Sequence, residues 1–163
     1  MDDQQDEANK LYAKFETDVC DKIRTNQSNH RLWESGQPRH GLKTVLDGLT
    51  AFADIRLDAL HRIQLYLRFA SDFFEFGEYS LALDCYELVS QRCGAVSNEL
   101  VATKYHVEAI QSIVRSNYGE LMLLKTVYMS PMVVSKLLLC LQELRRSLEQ
   151  VFALPMKPVS YTH

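Results

Sequence analysis

Five histidines, four cysteines and a scatter of aspartates are the residues of this chain best suited to chemistry, and their spacing decides which chemistry. A helical zinc pair needs two histidines four residues apart, so that both rings leave one face of the helix. His30, His40, His61, His106 and His163 contain no such pair, and none stands close in sequence to two cysteines. Cys20, Cys85, Cys93 and Cys140 include no Cys-x-x-Cys, the spacing of redox and zinc motifs. Asp54, Asp58, Asp72 and Asp84 fall at helical positions and read as solvated faces and helix caps, not as a paired acid and base. Gly-x-Ser-x-Gly, Gly-x-Gly-x-x-Gly and phosphate-loop motifs are missing from the sequence, so nothing marks a nucleophile elbow or a phosphate cradle. The expectation is a chain that is not an enzyme and holds no metal or cofactor.

One stretch could touch nucleic acid or an acidic partner. Lys22, Arg24, Arg31, Arg39 and Lys43 gather around Trp33, His30 and His40, and basic residues beside an exposed aromatic suit RNA. The alternative is a solvated loop whose Trp33 tucks between helices, as tryptophan generally does. A formal net charge of -3 over 163 residues excludes a surface that tracks phosphates everywhere. The acidic start "MDDQQDEANK" lacks the character of a signal peptide, which predicts reduced thiols and a cytoplasmic or nuclear location. The longest purely apolar run, Leu137 to Leu141, is too short to cross a membrane.

The elements that must position these residues are helices. Hydrophobic residues make up 47% of the chain, and only six glycines and four prolines interrupt it, so long stretches carry no breaker. Ala8, Leu11, Tyr12, Phe15, Val19 and Ile23 step by threes and fours along one helical stripe. Residues 24 to 41 collect Asn, Ser, Gly and Pro and read as a loop. Leu42, Val45, Leu46 and Leu49 restore the helical period. Further helices are predicted from about Asp54 to Phe76, Tyr79 to Gln91, Ser97 or Asn98 to Ser116, and Met132 to Phe152. The breaks between them fall at Gly77, "RCGAVSN" and "SNYG", and Ser130-Pro131 is a helix start. The organisation expected is an amphipathic N-terminal helix (1–26), a polar and basic linker (27–41), an all-helical domain (42–154) and an extended tail (155–163).

The stretch "FEFGEYSLALDCYELV", residues 74 to 89, holds a glycine between two apolar helical segments. Tyr66, Phe69, Ala70 and Phe73 precede it, Gly77 and Tyr79 stand at the break, and Ala82 and Tyr86 follow at intact spacing, with Gly94 closing the unit. In this pattern residues 63–96 resemble a tetratricopeptide repeat, which pairs two antiparallel helices about a tight turn. Frames shifted by 34 residues put Pro38 inside a helix on one side and Lys104 at a small position on the other, so one repeat carries the likeness. The resemblance implies an all-α fold of antiparallel helical hairpins, stacked as a short right-handed solenoid or an irregular bundle, because one repeat cannot bury its own apolar faces.

The resemblance also implies a protein-interaction module, an adaptor or scaffold within a larger assembly. Its concave groove would present Gln64, Leu67, Ser71 and Phe74 to a peptide or helix. Lysine and asparagine, which clamp a terminal carboxylate in some relatives, do not occupy the neighbourhood of Leu67 and Ser71. The last helix offers a second surface. Val134, Leu137, Leu141, Leu144, Leu148 and Val151 alternate steps of three and four like a coiled-coil seam, with Leu138, Leu139 and Cys140 on other sides. Such a helix is either core or the seat of a second protein, or of a second copy of the chain.

Overall fold

A computed structural model of the chain describes residues 3–27, 37–125 and 131–153. The elements in order are α1 (Asp3–Phe15), a π-helical turn (Glu16–Cys20), α2 (Asp21–Gln27), α3 (Gln37–Arg56), α4 (Ala59–Glu75), α5 (Tyr79–Arg92), a 3₁₀ turn (Cys93–Ala95), α6 (Glu99–Lys125) and α7 (Pro131–Ala153). No described residue lies in a strand, and no described helix is long and apolar enough to cross a membrane. The fold is all-α, as the breaker count predicts.

The π turn explains how the first segment keeps one buried face. Leu11, Phe15, Val19 and Ile23 are all buried and follow one another by steps of four. On an ideal α-helix three such steps drift by about 120° around the axis. The wider turn, closed by the amide of Asp21 donating to the carbonyl of Glu16, absorbs that drift. Phe15 consequently reaches the centre of the molecule, its ring 4.1 Å from Phe69 and 5.3 Å, edge-on, from Phe73.

Asp58 divides α3 from α4. Its backbone is extended and its carboxylate accepts from the amide of His61, a side-chain N-cap. The break therefore falls at residues 57 and 58, a few residues later than the spacing predicts. At its other end α4 closes on Gly77, whose φ of +78° is costly for any residue with a Cβ. Glu78 donates its amide to the carbonyl of Phe73, and Gly77 to that of Phe74, the paired bonds that end a helix at a left-handed residue. The chain turns there and α5 packs back on α4. Ala70 and Ala82 are both fully buried. Packing then proceeds stepwise, α5 on α6 and α6 on α7, while α1 lies against α3 and α4.

Two expected breaks are corrected. Residues 37 to 41 of the expected linker are helical, and α2 runs to Gln27. Pro38 sits in the first turn of α3, where its missing amide proton has no partner to lose. The "SNYG" segment is interior to α6. A Cβ on Gly119 would lie 2.8 Å from the Tyr79 ring, so this glycine serves close approach of two elements, not chain reversal. Asn98 caps α6 as expected, its carboxamide oxygen accepting from the amides of Leu100 and Val101.

The aspartates read as solvated faces are more engaged than that. Asp54 accepts the hydroxyl of the fully buried Tyr66 at 2.5 Å and pairs with Arg92 at 2.8 Å. One polar knot thereby fastens α3 to α4 and α5. The tail at 155–163 lies outside the described residues.

Candidate functional site

An apolar groove of about 700 Å³ lies where the end of α4 and the start of α5 meet α6 and α7. Its floor is shaped by Gly119, which lets the Tyr79 ring lie against α6. Phe74 meets that ring edge-on at 5.1 Å, an arrangement aromatic quadrupoles favour. Tyr118 and Met122 follow from α6, and Leu144 and Leu148 close the far wall from α7. Arg115 supplies the polar edge and donates to Ser112 Oγ at 3.1 Å. The groove is open to water although nearly all its lining is carbon.

Two sets of residues expected on separate surfaces thus share one cavity. Phe74 comes from the repeat-like hairpin and Leu144 and Leu148 from the last helix. The remaining expected groove residues are distributed differently. Gln64 donates to the Tyr105 hydroxyl at 3.1 Å, and Leu67 packs on the core. Ser71 lines a smaller, mixed cleft of about 320 Å³ with Phe74, Glu75, Tyr86, Ser112 and Arg115. On α7, Leu141 is exposed and Val151 packs against the core.

The basic segment is partly engaged. Lys43 pairs with Asp84 at 3.5 Å. Arg24 pairs with Asp21 and Glu16 and lies over the Phe76 ring. Arg31 and Trp33 lie outside the described residues, as does the side chain of Arg39.

A titratable cluster that sequence reasoning missed lies where the π turn faces α4. Ligand atoms of Glu16, Cys20 and Asp72 fall within 4.8 Å of one another, and Tyr12 donates to Asp72 at 2.5 Å. Burial, with the neighbouring charge of Glu16, holds the Asp72 carboxyl above its usual range. Burial also pushes Glu16 up, but hydrogen bonds from Tyr12 and Asp72 and the charge of Arg24 outweigh it and leave Glu16 low. Asp72 is therefore the carboxyl that keeps the shared proton longer. The Cys20 thiol is pushed up to about 12 by burial and by the two carboxylates. Such a thiol is a poor nucleophile at neutral pH, and a cation entering here would have to displace the proton of Cys20. No local motif could have revealed this set, since Asp72 stands more than fifty residues from its partners.

No family model, curated protein or solved structure matches the chain.

Proposed function

We propose that this protein is a non-catalytic interaction module, an adaptor or scaffold subunit, built around a tetratricopeptide-like helical hairpin in a short solenoid. The observation that carries the reading is the groove framed by Phe74, Tyr79, Met122, Leu144 and Leu148. A water-facing cavity with so little polar lining forgoes free energy until something apolar fills it. Its apolar lining between α6 and α7 suits an amphipathic helix or extended peptide carrying apolar anchors, with Arg115 at the rim. The thiol chemistry agrees with a binding role, since burial raises Cys20, Cys85 and Cys93 above their ordinary values.

The test is affinity capture with wild-type chain and with Phe74→Glu and Met122→Glu. Circular dichroism first establishes that each variant keeps the helical content of the wild type. Loss of captured proteins by both folded variants supports the groove as the docking site. Undiminished capture by both overturns it.

A further inference from the structure

The exposed face of α7 has an order that the groove alone does not explain. Val134, Leu138, Leu141, Arg145, Leu148 and Phe152 project within about 80° of one another around the helix axis. Their positions pair about one centre. Val134 and Phe152 stand nine residues either side of Glu143, Leu138 and Leu148 five, and Leu141 and Arg145 two. Glu143 itself faces the opposite side, where Arg146 donates to it.

A two-fold interface needs each residue i to meet a residue j whose own copy meets i, and about residue 143 the pairs are Val with Phe, Leu with Leu, and Leu with the long aliphatic stem of Arg. We propose that the partner on this face is a second copy of the chain, with the two α7 helices antiparallel and crossing at residue 143. This rests on the interaction-surface reading above and names its occupant. Val134 then meets Phe152 of the other copy, and Leu138 meets its Leu148. Leu141 meets the aliphatic stem of Arg145, whose guanidinium reaches outward to Glu149, 3.3 Å away on its own helix. The incoming helix also covers the mouth of the groove, since Leu148 belongs to both surfaces.

The area is sufficient. Phe152 is 85% exposed, Leu138 56% and Leu141 48%, with Val134 and Leu148 each at 40%. Tyr118, Met122 and Leu123 of the adjoining groove are between 36% and 56% exposed. Taking about 200 Å² for a fully exposed large apolar side chain, these eight residues present roughly 800 Å², which is what one partner brings to an interface of standard size. The charge pattern agrees: the stripe holds a single charged residue, and it faces leucine, so no like charges are opposed.

Sedimentation equilibrium of the full chain, from micromolar to submillimolar, is expected to show a monomer–dimer equilibrium. Leu138→Arg is expected to raise the dissociation constant at least about thirtyfold with unchanged helical circular dichroism. Register is read independently by mild oxidation of Leu138→Cys and Leu148→Cys proteins. A disulfide-linked dimer should form when the two are mixed and not from either alone, since like positions lie about 15 Å apart along the axis. Wild type, whose cysteines lie off the stripe, is the control. A monomer at every concentration overturns the self-association, as does a dimer that is indifferent to Leu138→Arg and gives no mixed disulfide. If the chain is monomeric while Met122→Glu still abolishes capture, only the choice of occupant fails. If Met122→Glu has no effect either, the groove reading fails with it.

Discussion

The hydroxyl of Tyr12, on the first helix, donates to Asp72 on α4 across 60 residues of sequence. The contact fastens the N-terminal segment to the helical hairpin, and it leaves a carboxyl with a raised pKa in the joint. A carboxyl whose folded pKa exceeds its unfolded value binds more protons in the folded state, so its contribution to stability falls as pH rises through that interval. Asp72→Asn keeps an oxygen for Tyr12 and gains an amide that can donate to Glu16. The variant is expected to be at least as stable as wild type at neutral pH. It should also lose the part of the wild-type decline that begins near 3.8, the ordinary value for this group. Urea titrations at a series of pH values check this, and a parallel offset with no change of slope would contradict it.

Phe15 is fully buried against Phe69 and Phe73. Phe15→Ala should lower the unfolding free energy by about 3–5 kcal/mol, the range for deleting a large aromatic from a core. If residues 3–27 were instead a loosely attached arm, chemical denaturation would show a loss well below that range.

Gly119 and Tyr79 are coupled through a contact that leaves no room for a methyl group. Gly119→Ala alone should destabilise by about 1–3 kcal/mol through overpacking. In a Tyr79→Ala background the same change should stabilise, by up to about 1 kcal/mol, because alanine is the better helix former. A double-mutant cycle in urea checks the reversal of sign. Equal effects in both backgrounds would mean that the ring simply swings aside.

Gly77 has open space where a Cβ would go, so the cost of a side chain there is conformational alone. Gly77→Ala should cost about 1–2 kcal/mol. Gly77→Asn should cost less, since asparagine visits the left-handed region more readily. Thermal melts of the two variants give the ranking, and an alanine variant as stable as wild type would contradict the turn.

What the sequence made legible is what local chemistry controls. The helices around Gly77 follow from apolar periodicity and one residue suited to positive φ, and Asn98 follows from cap chemistry. Residues 37–41 look like loop in sequence because proline usually breaks a helix, but Pro38 stands in a first turn, where proline is at home. Gly119 looks like a break because its reason lies forty residues away, in the Tyr79 ring. The cluster of Glu16, Cys20 and Asp72 depends on a π turn and on helix packing, neither of which leaves a periodic trace. For the groove, Phe74, Leu144 and Leu148 could be singled out as apolar, but only the arrangement of α6 between α4 and α7 brings them together.

The last helix is fastened on one side. Its packing falls almost wholly on α6, through the buried pair Asn117 and Ser147 at 3.0 Å, with an outlying ion pair from Arg146 to Glu87. An element held by one neighbour opens at a lower free energy than elements enclosed on several sides. Amide hydrogens of residues 134–153 should therefore exchange with deuterium ahead of those in α4 and α5, and whatever covers Leu141 and Phe152 will slow them. Occupancy of that face and local folding of the terminal helix are, in consequence, one equilibrium.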